Sequence, residues 1–457
     1  MNTCQEFATL SMSRRGLLRG LTAGGVATAV GSAVVTASPA SATPASSVLV
    51  VLSLRGAADG MSLVVPHGDP AYYAARPRIA VPRASLLAAD GFFGLHPGLK
   101  PLLPMWQAGE VAAVHATGMA VPNRSHFEAM ELVEDADPGS AARSGWLNRL
   151  VGLTSTGDPL QGLAVGSTPP TSLAGPATVM SISGLSSAKV PGDAARRTSL
   201  AAMWTSETTA MGRAVNATLA GVDRLGGAQA QADHASTYPA SDLGRALSDV
   251  ARTLRADVGV QVVTVDQGDW DMHADLGTLD WGGMRSNAAE LGQALAAFFA
   301  DLGQVRSKVT LVALSEFGRR VTENSGYGLD HGWGNVMFAL GAGVRGGYYA
   351  RWTPLVNALD ADLTVTTDYR DVLAEVITAR MPASSLAAIF PRFARTPIGF
   401  MAGQSGWGQT ATPTVPIPKP PPATPTPTPV KPKPKPKPKH KRRKKKRRHK
   451  KRRHTKR

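Results

Sequence analysis

Four short apolar runs, spaced widely along the chain, constrain its fold more than any other feature. They are Val48-Leu49-Val50-Val51-Leu52-Ser53-Leu54, Val111-Ala112-Ala113-Val114-His115, Val260-Gln261-Val262-Val263-Thr264-Val265 and Val309-Thr310-Leu311-Val312-Ala313-Leu314. The first and last are too continuous to leave one face in water, so they predict strands buried on both faces, as in a parallel sheet. Val336 to Leu340 reads as a fifth strand. Helical text lies between these runs, around Leu99–Ala108, Glu128–Val133, Leu200–Ala220, Leu243–Leu254, Asn287–Leu302 and Tyr369–Thr378, with Asp368 near the start of the last. Strands alternating with helices predict an α/β fold whose mostly parallel central sheet is covered by helices on both faces. The segment from Leu153 to Thr198, rich in Gly, Ser, Thr and Pro, reads as an irregular insertion or edge region, and there is no internal repeat.

Polar, glycine-bounded loops follow the strands. Arg55–Gly60 follows the first, Met119–His126 the second, Asp266–His273 the third and Ser315–Arg319 the fourth. In open α/β sheets, ligands gather beyond the carboxyl ends of the strands. Asp59, Asp271, His273, Glu316, Asp330 and His331 would then share one edge of the sheet. Carboxylates and imidazoles converging there could hold divalent metal ions. Mixed oxygen and nitrogen ligation suits zinc, manganese or iron, and oxygen-rich ligation suits magnesium or calcium. Two such ions can clamp a displacement at phosphorus or sulfur.

The same residues also have plainer roles open to them. Asp59 could tighten its glycine loop, and Asp271 and His273 could be a hydrogen-bonded loop pair. Glu316 with Arg319 could be a surface ion pair, and Asp330-His331-Gly332 a turn. Ser125, within Asn123-Arg124-Ser125-His126, could be a nucleophile activated beside a metal. Arg124 could neutralise a phosphate or sulfate oxygen, and His126 could bind metal or shuttle protons. Ser125 is also followed three residues later by Glu128, the pattern of a helix capping box.

Several chemistries are excluded. The only cysteine is Cys4, within a segment expected to be removed, so no Cys nucleophile and no Cys-ligated zinc is available to the mature chain. There is no P-loop, no G-x-S-x-G elbow and no H-E-x-x-H helix.

The two ends differ from the middle. Ser13-Arg14-Arg15-Gly16-Leu17-Leu18-Arg19 resembles a twin-arginine export motif, with an Ala- and Gly-rich apolar stretch after it and a cleavage-type Ala40-Ser41-Ala42. A signal peptide is therefore expected over residues 1–42, a folded domain over 43–405 and a linker with a basic tail over 406–457. Residues 411–457 hold 20 of the 50 Lys and Arg and no Asp or Glu; the other 30 basic residues face 33 acidic ones, so the folded part is mildly acidic. Lys-Pro repeats run from Lys431 to Lys439, a semi-rigid spacer. The block that follows, to Arg457, cannot fold on itself. The segment Lys431–Arg457 is expected to meet anionic cell-wall polymer or a membrane surface, with nonspecific nucleic-acid binding as a further outcome.

Ten blocks in order resemble the DUF1501 family of exported bacterial proteins of unknown function. They include Leu54-Arg55-Gly56-Ala57-Ala58-Asp59-Gly60, Gly94-Leu95-His96-Pro97, Arg124-Ser125-His126-Phe127, Gly145-Trp146-Leu147, Asp271-x-His273, Ser315-Glu316-Phe317-Gly318-Arg319, Asp330-His331-Gly332 and Thr366-Thr367-Asp368-Tyr369-Arg370. The resemblance implies an alkaline phosphatase-like three-layer sandwich and a metal-dependent hydrolase. It implies Asp59 as a first-strand metal ligand, Ser125 as nucleophile, and Asp271, His273, Glu316 and His331 as ligands. Asp330 would be a ligand or stand behind one. Two departures stand out: Phe317 follows Glu316 where relatives in the superfamily carry an Asp-His pair, and Gly268-Asp269-Trp270-Asp271-Met272-His273 replaces the usual Gly-Gly-Phe-Asp-Thr-His. The expected function is an exported metal-dependent hydrolase of phosphate or sulfate esters; the alternative is a noncatalytic envelope-associated protein of hydrolase-like fold, anchored by its tail.

Overall fold

Alternate residues of the first long strand enter opposite cores. Val48, Val50, Leu52 and Leu54 join one apolar cluster, while Leu49 and Val51 join another. Val309 and Leu311 divide from Val312 and Leu314 in the same way. Both faces of these strands are dry, which is why their sequence is continuous and not alternating.

The computed structural model describes residues 27–30, 33–36, 44–140, 143–154, 157–166 and 168–409. The twin-arginine-like motif, Ala40–Ala42 and the basic tail lie outside these residues. The strands, in chain order, are β1 (Ala27–Val30), β2 (Ala33–Thr36), β3 (Val48–Leu54), β4 (Val64–Val65), β5 (Gly94–Leu95), β6 (Val111–Gly118) and β7 (Gly162–Val165). They continue with β8 (Met180–Ile182), β9 (Val262–Gln267), β10 (Val309–Leu314), β11 (Asn335–Gly341), β12 (Gly347–Tyr349) and β13 (Thr367–Asp368). The central sheet has the order β1-β2-β8-β7-β9-β3-β10-β11-β6-β12, with β13 also against β6, and β4 pairs with β5 apart from it.

Helices cover both faces. Against the first core lie Ala210–Gln229, Asp242–Arg255 and Gly283–Asp301, which bury Leu225, Leu247, Val250, Leu291 and Phe298. Against the second lie His126–Asp135, Trp146–Thr154 and Tyr369–Arg380, which bury Val133, Leu147, Leu150, Val372 and Val376. Local chemistry sets their ends. The Ser241 hydroxyl accepts from Gly244 N–H at 3.1 Å at the start of Asp242–Arg255, and Arg252 and Arg255 sit in its last turn. No helix among the described residues is long and apolar enough to cross a membrane.

The fold is α/β, but its sheet is mixed. β3 pairs parallel with both β9 and β10, whereas β11 runs antiparallel to β10 and to β6. Strand direction depends on the partner a run finds, and Val336–Leu340 carries no local mark of it. The stretch Leu153–Thr198 is also more ordered than its composition suggests. It supplies β7 and β8, and β7 pairs parallel with β9. At four and three residues these strands are too short for a period to show among the Gly, Ser and Pro around them. Leu200–Ala220 is divided between two helices, Ala194–Trp204 and Ala210–Gln229, the second capped by the Thr209 hydroxyl on Gly212 N–H.

The loop after β10 passes so close to the lead-in of β11 that a Cβ on Gly318 would lie 1.8 Å from the Gly334 carbonyl oxygen. Gly318→Ala is expected to destabilise the protein by about 1–3 kcal/mol in urea unfolding. Gly226, inside the helix Ala210–Gln229 with nothing within 4 Å of such an atom, should do the opposite. Gly226→Ala is expected to stabilise by about 0.5–1 kcal/mol.

Candidate metal centre

Because β9, β3 and β10 are parallel neighbours, their carboxyl ends share one edge. β3 runs on to Arg55–Asp59, β9 to Gly268–His273 and β10 to Ser315–Arg319. β6 also reaches this edge, and its loop delivers His126 at the first turn of the helix His126–Asp135. The antiparallel direction of β11 matters here. Residues that precede a strand would lie at the far edge of an all-parallel sheet; since β11 is reversed, Asp330 and His331 arrive beside the others. The loops also pack against one another. Gly56 has φ +109° and a Cβ there would sit 2.5 Å from the Asp271 nitrogen, so only glycine lets the first loop lie on the third.

His126, Asp271 and His331 form the one group among the described residues compact enough to hold a metal ion. His126 Nε2 lies 2.9 Å from His331 Nε2, and Asp271 Oδ1 lies 3.4 Å from the first and 3.5 Å from the second. A tetrahedral ion with ligands at about 2.0–2.1 Å has ligand-to-ligand edges of about 3.3 Å. His273 lies against the same pair, its Nε2 2.8 Å from His331 Nε2 and 3.2 Å from Asp271 Oδ1.

The outer ring nitrogens decide what the inner ones can do. His126 Nδ1 donates to Glu316 Oε1 at 2.8 Å, His273 Nδ1 to Asp330 Oδ1 at 3.1 Å, and His331 Nδ1 to the Arg124 carbonyl at 2.8 Å. A carboxylate or carbonyl can only accept, so each neutral ring keeps its proton outside and turns an Nε2 lone pair inward. Lone pairs 2.8–2.9 Å apart need a positive species between them. A proton is one solution. Burial lowers the affinity of His126 for a proton, but the bonds to Asp271 and Glu316 outweigh it and push its pKa up to about 9. A divalent cation is the other, and rings oriented by outer acceptors are the usual support of a metal site.

Arg319 holds Asp271 in place. This guanidinium is buried and its Nη2 donates to Asp271 Oδ1 at 2.7 Å. It also donates to the carbonyls of Ala57 at 2.7 Å, Gly56 at 2.6 Å and Leu329 at 3.0 Å. Burial alone would raise the Asp271 carboxyl; the bonds from His126, His273, His331 and Arg319 more than offset it and hold it far below the ordinary range.

Residues 110–376, more than half of the chain, match the family described as a protein of unknown function (DUF1501). The chain belongs to the DUF1501 family. The match takes in every residue of the cluster. No curated protein matches the chain. Among solved structures, the C-terminal periplasmic domain of EcEptC from Escherichia coli, in complex with zinc, is similar at 11% identity. The likeness covers 66% of this chain and 76% of that one with a TM-score of 0.31, too low to carry an argument.

The remaining residues singled out in this DUF1501 chain lie around the cluster and not in it. Asp59 lies apart from the cluster: it is buried and held by Arg76, with Nη1 at 2.5 Å from Oδ2 and Nη2 at 3.1 Å from Oδ1. Burial raises its carboxyl, but the Arg76 charge prevails and holds it low. Ligation would leave Arg76 buried without a counter-charge. Glu316, also buried, acts through His126, and accepts the Gly56 N–H at 3.0 Å. It does not pair with Arg319, whose carboxylate is Asp271. Asp330 braces His273 and accepts from Asn324 at 3.2 Å. Ser125 is exposed and caps its helix, its hydroxyl 3.5 Å from Glu128 N. The Arg124 guanidinium pairs with Asp362, and only its carbonyl serves the cluster. Arg76 carries no local signal that would have marked it beside Asp59.

These placements separate two carboxylates. Glu316→Gln should weaken zinc affinity by about 10–100-fold in a chelator competition. Asp59→Asn should leave that affinity unchanged and instead cost about 3–5 kcal/mol in urea unfolding, because it strands the buried Arg76 charge.

Proposed function

We propose that this protein is a metal-dependent hydrolase, acting on phosphate or sulfate esters at the carboxyl edge of its sheet. The observation that carries this reading is the convergence of three Nε2 atoms on one carboxylate oxygen, each ring tied off outside. Imidazole nitrogens with a carboxylate suit zinc better than magnesium or calcium. His126, His331 and Asp271 would hold the ion, with His273 adjoining. It would supply Lewis-acid polarisation and charge neutralisation at an ester oxygen. The chain's own groups do the rest. Arg319 keeps Asp271 ionised and aimed. Glu316, Asp330 and the Arg124 carbonyl keep three rings in the ligating tautomer. Ser125, exposed beside His126, would attack the ester, giving up its 3.5 Å bond to Glu128 N–H. Asp59 is occupied by Arg76, which supports a site for a single ion. The superfamily architecture implied by the resemblance agrees with a sheet covered on both faces, and the sequence ends support an exported, envelope-associated enzyme.

The mature protein, loaded with zinc, should hydrolyse an aryl phosphate or aryl sulfate, and a chelator should stop it. His331→Ala should lose both ion and turnover. Ser125→Ala should keep the ion and lose turnover; turnover kept in that variant would assign the attack to water. A protein that binds no ion and turns over nothing would contradict the proposal and favour a noncatalytic envelope role.

A further inference from the structure

Nine large apolar side chains stand exposed among the described residues; five of them ride on loops that carry or border the metal cluster, and a sixth, Phe127, follows His126 in the first turn of its helix. Val121 and Phe127 flank Arg124–His126. Trp281 and Tyr327 meet edge to face at 5.5 Å beside the loops of His273 and Asp330. Val356 and Leu359 belong to the segment that runs into Asp362, which pairs with Arg124 and with Arg320. Val121 is 73% exposed and Leu359 82%, so neither is a core residue that happens to reach the surface. Single exposed apolar residues are ordinary; their gathering around one site marks a contact surface.

We propose that this rim docks on the surface of an anionic lipid bilayer and turns the metal cluster toward the headgroups. Trp and Tyr favour the water–lipid boundary, where the ring is apolar and its edge is wet. Shallow insertion of a few side chains is a weak anchor, and stable binding needs a second signal. The same chain carries one, since residues 411–457 hold 20 Lys and Arg without a single acid. Basic residues held near an anionic leaflet each add to binding through charge, an attraction that salt screens. The folded part is mildly acidic and would not be drawn to such a surface by charge. The basic tail brings the chain to the lipid, and the rim orients it. Docking does not require a catalytic site. The consequence for substrate, an ester presented at a membrane surface, rests on the hydrolase reading.

The test uses the full mature chain with phosphatidylglycerol-rich vesicles, so it reads no activity. Vesicles with brominated acyl chains should quench tryptophan fluorescence, and Trp281→Phe should remove most of that quenching. The double variant V356S/L359S, at exposed positions that leave the core intact, should partition about tenfold more weakly. Deleting residues 411–457 should abolish the salt-sensitive part of binding. Absent quenching, or partition unchanged in V356S/L359S, overturns the proposal, because the tail alone then accounts for binding. A rim that covers a second copy of the chain would appear as a dimer dispersed by the same double variant without quenching, and that too overturns it.

Discussion

The buried guanidinium of Arg319 ties together the loops on which the candidate site depends. It reaches the Gly56 and Ala57 carbonyls after β3, the Asp271 carboxylate after β9, and the Leu329 carbonyl before β11. A charge this deep must be satisfied on every side or the fold cannot keep it. The loops after β3 and β9 are therefore held in one arrangement by the connection between β10 and β11, which Arg319 also braces internally through Leu329, and Asp271 acquires its place and its low proton affinity from the same contact. The cluster is a consequence of that junction.

Two aspartates show how charge has been distributed at this edge. Asp59 and Asp271 both follow central strands and both are met by an arginine. Arg76 grips Asp59 through both oxygens in the interior, with the Ser62 hydroxyl beside it. Arg319 touches Asp271 at Oδ1, and the same oxygen faces three imidazoles. One pair is closed and structural. The other leaves its carboxylate among nitrogen lone pairs that require a cation.

Much of this was legible in the sequence, for identifiable reasons. Val48–Leu54 and Val309–Leu314 have the bounds that their composition predicts, because burial on both faces demands continuous apolar text. His126, Asp271 and His331 stand out because ionisable residues just after strands, or between glycines, are poor loop material without a task. The direction of β11 was not legible, since antiparallel and parallel strands use the same residues. Nor was the division of roles within the cluster. Glu316 and Asp330 are the same kinds of residue as a metal ligand, and only the position of a histidine ring turns them into its supports. Arg76 acts on Asp59 from the end of the helix Pro70–Ala75, a separation no local pattern spans. Ser125 meets half of the capping-box reading: its hydroxyl faces Glu128 N–H, while its own N–H donates to Asn123 Oδ1 and not to Glu128.

The decisive question is whether the inward-facing nitrogens and Asp271 take up a metal ion while Asp59 does not. Anomalous X-ray diffraction from crystals of the zinc-loaded mature protein measures this directly. A single strong peak is expected, bounded by His126, His331 and the Asp271 carboxylate, with Arg76 still closed on Asp59. No peak at that position, or a peak at Asp59 with Arg76 displaced, would contradict it.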